Sequence, residues 1–542
     1  MDPRQEPGTS HETKSIVPSL TVTTDSGLVL SRLTRAAALP ALVLLLYAFL
    51  FPWLPTIRSP NELSRLYQAR AIVEDHSLAV NAQLARHGPV GDLSVRDGRS
   101  YPNKAPGVAF AGAAAYAVAR AAHGGRPVGE AEAIFWVRLL VCMVPGAIAA
   151  ELLRQILARR FEPALATSGA LVFALGTIMW PYSTLFMSHG PTAAAVVACW
   201  WAVERRSFAL AGFMAGCAVL LEYTSALALL PLALHAWRSA PPAERGEGQG
   251  ERHRGPIISA FLGFLPPILA LALYHQAAFG NPFHTGYRYL VNPVFTEWHA
   301  RGFMGVGAPS LRALAGSFLD PARGLFAWSP FLALGVPGLV LLARRDRALA
   351  LLCASELALY ALFTASFTYE AWGWVVGPRH ITTVCAFLIP PALAAAGWLR
   401  DRGLGFVAAG LALFGMAVLA LTMAVCPYLP EELTNPLWQL VVPLARMGLR
   451  STDLLGVSLH TSSWWALAPW AVVLAASALW VVMAFALRPF EVEGSKGERN
   501  GVALQVFLSI ALAAALLAGQ SQLGRPDRFD RTRSFMAAQF RS

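Results

Sequence analysis

The chain has 542 residues, of which 56% are hydrophobic and 14% charged, against roughly 45–50% and about 25% in an ordinary soluble domain. A soluble globule is excluded. The formal charge of +11 does not indicate nucleic acid, because the basic residues are scattered between apolar runs and form no continuous patch. Lys14, Lys104 and Lys496 are the only lysines; every other basic residue is arginine. The six cysteines lie in or at the ends of apolar segments, with no CxxC and no histidine at ligand spacing, so neither a disulfide framework nor a metal site is expected.

Residues 1–35 are polar and predict a disordered cytosolic tail. The uncharged run 36–57 that follows is too long for a signal peptide and lacks its small-residue cleavage site, which predicts a first transmembrane helix. Runs of about 20 apolar residues, the length that crosses a bilayer, follow near 134–158, 164–184, 190–204, 256–278, 325–343, 348–367, 380–398, 403–426, 463–487 and 501–519. The run 207–237 is interrupted by Glu222-Tyr223-Thr224-Ser225 and predicts two short helices with an apex inside or near the far interface. The fold class is therefore an all-α polytopic membrane protein, with about thirteen transmembrane helices within 36–519.

Arginines packed against span ends mark the cytosolic loops: Arg159-Arg160, Arg205-Arg206, Arg344-Arg345 and Arg400-Asp401-Arg402. The long loops 58–133, 279–324 and 427–462, the short loop 368–379 and the tail 520–542 then fall on the other face. The amino terminus is expected in the cytosol and the carboxyl terminus outside. Secondary transporters pair interrupted helices in corresponding halves; here most residues capable of chemistry lie in loops on one face.

The first external loop, 58–133, is too long for a connector and opens Ser59-Pro60-Asn61-Glu62-Leu63-Ser64-Arg65-Leu66-Tyr67. Ser59, Pro60 and Glu62 form a capping box, and Leu63, Leu66 and Tyr67 give a one-faced apolar stripe suited to a helix lying on the membrane surface. Glu62 is also spaced to pair with Arg65. The competing reading makes Glu62 a general base just outside the bilayer. Farther on, the segment from Gly91 to Gly107 is dense in charge and turn residues, with Asp92, an Asp97-Gly98 turn, Tyr101 and then Lys104 between two prolines. A compact ammonium at headgroup level suits a phosphate; snorkelling to the interface is the structural alternative.

One span, an Asn-Glu-x-x-Arg helix (Asn61, Glu62, Arg65), a Tyr-x-x-Lys-x-Pro turn (Tyr101, Lys104, Pro106) and a many-span bundle follow in that order. The arrangement resembles the GT-C superfamily of membrane glycosyltransferases, particularly the aminoarabinose transferase and the related protein O-mannosyltransferases. In that family the helix carries Asp-Glu-x-x-Arg and the turn carries a Lys-Pro-Pro motif that holds the lipid phosphate. The first acidic position is Asn61 here, so the resemblance moves the base role to Glu62, then to Asp92 or Asp97.

The resemblance implies an inverting transferase that moves a sugar from a polyprenyl-phosphate donor to a lipid, glycan or protein acceptor on the periplasmic face of a bacterial inner membrane. Lipid phosphate is already a good leaving group and the sequence offers no carboxylate pair at ligand spacing, so no metal and no cofactor are expected. Arg65, Tyr101 and Lys104 are then expected at the substrate, joined by His189 at the opening of a span, Glu222 at the apex between the two short helices of 207–237, Tyr287 and Arg323 in the loop 279–324, and Trp372 and Arg379 in the short loop before the span at 380–398. His189 equally suits a helix end, Tyr287 an interfacial anchor and Arg379 a helix anchor. Glu356, inside the span 348–367, has no partner legible in the sequence. A flippase or transporter of an amphipathic lipid is the alternative activity, and a noncatalytic membrane scaffold is a third possibility.

Overall fold

The computed structural model describes residues 25–57, 59–238, 249–367, 373–461, 463–487, 496–523 and 529–540. The chain divides into the units Met1–Ala38 and Leu39–Ser542. Helix begins at Asp25, so the expected disordered tail 1–35 is helical over its last residues. Among the described residues six helices are long and apolar enough to cross a membrane, Glu130–Leu157, Arg254–Phe279, Arg347–Ser366, Gly405–Val425, Trp464–Ala486 and Gly501–Ser521. Shorter apolar helices include Gly107–Ala122, Pro163–Leu175, Phe208–Leu221 and Val384–Arg400. Several expected spans are interrupted: 164–184 breaks after Leu175 and resumes at Met179–Thr184, and 325–343 is divided among Leu325–Trp328, Pro330–Leu334 and Gly335–Ala343. The helices flanking Glu222, Phe208–Leu221 and Ala226–Arg238, meet in a short 3-10 turn at Tyr223–Ser225, as the interrupted apolar run predicts.

Small residues set the closest helix packing. A Cβ on Gly212 would lie 1.9 Å from the carbonyl oxygen of Ala260, and one on Gly263 equally close to that of Ala209. Glycine on both sides is what lets Phe208–Leu221 lie flush against Gln249–Phe279, the close-approach device of helices that pack in lipid.

The loops sort to two ends of the bundle. Helix His189–Glu204 makes this plain, since its 16 residues carry the chain about 24 Å at 1.5 Å per residue. At its carboxyl end Glu204 accepts from Arg160 at 3.0 Å, and Arg160 also binds Asp346 at 2.8 Å. Those arginines are the ones the sequence marks as cytosolic. At its amino end His189 meets the loops expected outside. The carboxyl-terminal helix Asp530–Ala538 belongs to that same end, where Thr532 donates to Glu432 at 2.8 Å and Phe535 meets Trp374 at 6.3 Å between ring centres.

Candidate functional site

The helix Pro60–Glu74 departs from its expected surface position. Every residue from Asn61 to Ala71 is buried, so it is an internal strut with no exposed polar face. The capping box is also absent, for Ser59 makes no side-chain cap bond. Glu62 points instead into the protein, where Arg138 donates to both of its carboxylate oxygens at 2.8 and 2.9 Å. The Tyr428 hydroxyl at 2.8 Å and the backbone N–H of Phe186 at 2.8 Å complete its partners. Arg65 does not pair with Glu62; it donates to the backbone and side-chain oxygens of Asn61 and to Ser188 Oγ at 3.3 Å. A fully buried carboxylate holding four hydrogen bonds is poorly placed to receive a substrate proton. Glu62 therefore leaves the catalytic set and becomes the tie that joins four chain segments.

Asp97 leaves it too. The strands Leu93–Arg96 and Arg99–Pro102 pair with Ser94 opposite Tyr101, and Asp97 and Gly98, at φ 49° and 71°, form the two-residue turn between them. Positive φ at both positions is the turn an Asp-Gly pair supplies. The Asp97 side chain is 81% exposed at the hairpin tip. Tyr101 faces inward from the hairpin, 4% exposed, and packs with Tyr274 and Phe279, so it is core. Arg323 donates to the carbonyl of Glu431 and ties two loops. Trp372 lies outside the described residues.

The hairpin has a consequence its tip does not suggest. Because Leu93 stands opposite Pro102, the residues just outside the pair are brought together: Asn103 N–H donates to the Asp92 carbonyl at 3.0 Å, and the Lys104 ammonium lies 3.5 Å from the Asp92 carboxylate. Asp92 itself holds φ 60°, a left-handed conformation that aspartate tolerates better than most residues. The outer strand also grips the loop that follows Phe279. Ser94 Oγ donates to the Gly286 carbonyl at 2.6 Å and Val291 N–H to the Leu93 carbonyl at 3.2 Å. This brings the Tyr287 ring 5.7 Å from the Lys104 ammonium, a cation–π distance, and His299 stacks on Tyr287 at 4.5 Å.

These residues face two adjoining cavities. One, of about 410 Å³, is lined by Asn61, Asp92, Lys104, Tyr287, Tyr428 and Glu431 among others. The second, of about 530 Å³, is lined by Arg65, His189 and Glu222 together with Leu221, Leu362 and Phe363 among others. Lys104, Tyr287, Arg379 and His380 line both, so the cations stand where a chamber of mixed lining meets a more strongly apolar one. Burial by itself would push the Asp92 carboxyl up, but Lys104, then Arg379 and Arg65, hold it below its ordinary value. Burial pulls the Lys104 ammonium down, against the opposing pull of Asp92. The same three groups that stabilise one carboxylate would stabilise a phosphate placed between them.

His189 and Glu222 are also in the wall. His189 Nδ1 lies 2.8 Å from one Glu222 oxygen, and His380 Nδ1 3.5 Å from the other. His380, next to Arg379 in sequence, is the residue that sequence reasoning missed; its only local signal was its place beside Arg379 at the mouth of a span. Glu356 is buried, and neither of its carboxylate oxygens finds a hydrogen-bond partner among the described residues.

No protein-family description and no curated protein matches the chain. Among solved structures it is similar to ArnT from Cupriavidus metallidurans in the apo state, at 16% identity over 92% of this chain and 78% of that one, with a TM-score of 0.49. The same protein bound to undecaprenyl phosphate is similar at 15% identity over the same shares, TM-score 0.47. The arabinosyltransferase EmbB from Mycobacterium smegmatis is similar at 15% identity over 95% of this chain and 42% of that one, TM-score 0.40.

Proposed function

We propose that the chain is an integral-membrane glycosyltransferase that moves a sugar from a polyprenyl-phosphate donor to a hydroxyl-bearing acceptor at the external face of a bacterial plasma membrane. The observation that carries this reading is the position of Lys104 and Arg379 at the junction of the two cavities. A lipid-linked sugar is an amphipathic molecule with its phosphate between an apolar tail and a polar head, and the junction offers cations for the phosphate, apolar lining for the first units of the tail, and a chamber carrying Asn61, Asp92 and Asn103 for the sugar.

Of the two carboxylates lining that chamber, Asp92 and Glu431, Asp92 is the one paired with Lys104. In a single displacement it accepts the proton of the acceptor hydroxyl as the acceptor oxygen bonds to the anomeric carbon, and the bond from that carbon to the phosphate oxygen breaks with inversion. The electron pair leaves on the phosphate, whose added charge is met by Lys104 and Arg379. Fixed cations aimed at developing charge in a partly dry cavity are usually the largest contribution to such catalysis. The cost of the arrangement is a weaker base, since the cations that stabilise the leaving group also stabilise the ionised form of Asp92.

The test is to incubate the purified chain with radiolabelled polyprenyl-phosphate sugars and membrane extract, comparing wild type with Asp92→Asn and Lys104→Ala. Transfer by wild type that both variants lose supports the reading. Transfer surviving both removes these residues from the site, whereas movement of labelled lipid across vesicles with no new glycosidic bond supports the flippase alternative.

A further inference from the structure

The proposed transfer leaves the cluster His189, Glu222 and His380 without a part. The three residues come from the start of one helix, the turn between two others and the loop before a fourth. Each offers one ligand atom, and these atoms all lie within 4.8 Å of one another. The imidazoles stand edge to face, 5.1 Å apart at 77°, each with Nδ1 directed to a different oxygen of the same carboxylate.

Among the described residues no lysine or arginine forms an ion pair with Glu222; its salt-bridge contacts are the two imidazoles. A largely buried carboxylate whose only ion-pair contacts are imidazoles has its charge compensated in full only if they are protonated or if a cation joins them. The contact at 3.5 Å is long for a hydrogen bond. It is near the ligand-to-ligand separation of about 3.4 Å that metal–ligand bonds of about 2.0–2.2 Å give in a tetrahedron, whereas the His189 contact at 2.8 Å has hydrogen-bond length and must widen on ligation. Thr224 Oγ donates at 3.2 Å to the Glu222 oxygen that faces His380, the outer contact that orients a ligating carboxylate.

We propose that His189, Glu222 and His380 form a divalent-cation site of the zinc class, with two imidazole nitrogens and one carboxylate oxygen as ligands and the fourth position open to the cavity. Two histidines, one glutamate and an open position suit zinc better than magnesium or calcium, which favour all-oxygen shells. Arg65 and Arg379 line the same cavity and repel a bare cation, so an anion at the open position strengthens binding. A phosphate there would touch both the ion and Arg379. The site does not depend on the transferase reading, because metal binding is read directly.

The full chain, purified in detergent and stripped with a chelator, is titrated with Co²⁺ and Zn²⁺, with and without inorganic phosphate. Wild type is expected to retain about one equivalent of zinc and to develop the visible absorption of tetrahedral cobalt. Affinity should fall at least tenfold in His189→Ala and His380→Ala and rise with phosphate. Glu222→Gln keeps the volume and hydrogen-bonding capacity of the side chain, so it decides the matter if an alanine variant fails to elute as a single species. Retention below about one tenth of an equivalent by wild type, or equal retention by wild type and Glu222→Gln, overturns the site; loss in Glu222→Gln with an unchanged elution profile supports it.

Discussion

Glu62 and Arg138, 76 positions apart in the chain, meet through two hydrogen bonds with both side chains fully buried. Arg138 also donates to the Pro52 carbonyl at 3.1 Å and to the Tyr428 hydroxyl at 2.8 Å, and the rings of Phe51 and Trp53 flank its guanidinium. The pair thus fastens the end of the first helix, the strut Pro60–Glu74, the helix from Glu130 and the loop at Tyr428 behind the cavity.

Removing one partner leaves the other buried and unmatched. Glu62→Gln is expected to destabilise the chain by about 3–5 kcal/mol, measured as a fall in the thermal midpoint in detergent. Glu62→Gln combined with Arg138→Met should recover much of that loss, since no uncompensated charge is left buried. An unchanged midpoint together with abolished transfer would return Glu62 to the role of base.

Asp92→Asn keeps the shape of the side chain and removes its proton acceptor. Transfer should fall by roughly 10²–10⁴ in kcat, with little change in KM for the donor. The pH dependence follows from the cations around it. A carboxyl held below its ordinary value stays ionised through neutral and mildly acidic pH; its contribution to stability is present above the unfolded-state value and is lost only as pH falls through the lower folded value. The rate profile should therefore show no acid limb from Asp92 between about pH 5 and 8.

Lys104→Ala should cost about 2 kcal/mol of phosphate binding, roughly thirtyfold in kcat/KM, the range for a hydrogen bond to a charged group. It should also move the acid limb of Asp92 upward, because the strongest group holding that carboxyl down is gone while burial remains. Lys104→Arg should rescue only in part. A planar guanidinium does not fit the space of a compact ammonium between Asp92 and the Tyr287 ring. A pH–rate profile of the three proteins checks all of this together.

Gly190 follows His189 at the point where its helix begins. A Cβ there would fall 2.0 Å from the carbonyl oxygen of Tyr182, and backbone on the far side leaves little room to yield. Gly190→Ala is expected to cost about 1–3 kcal/mol of stability and to shift His189 from Glu222, read as a lower thermal midpoint with weaker cobalt binding.

Glu356→Leu should raise the thermal midpoint. It replaces a buried carboxyl that has no hydrogen-bond partner among the described residues with an apolar side chain of similar size, which removes an unmet desolvation cost of about 1–3 kcal/mol. A lower midpoint would point to a partner the carboxyl gains in the membrane.

The amino-acid sequence by itself determined the membrane class, the two-helix break at Glu222 and the turn at Asp97-Gly98, because apolar run length and turn chemistry act over a few neighbouring residues. It also singled out Lys104 by scarcity. The partners of the charged residues were decided by tertiary structure. Glu62 has Arg65 three positions away and binds Arg138 instead, since the burial of its helix turned the carboxylate toward a distant guanidinium. Asp92 reads as a loop residue, and only strand register set it beside Lys104. His189, Glu222 and His380 have no spacing that a sequence pattern recognises; three helix ends meeting at one wall bring them together. A charge in a low-dielectric interior takes whatever partner the packing brings within about 4 Å, and that proximity is a property of the folded chain.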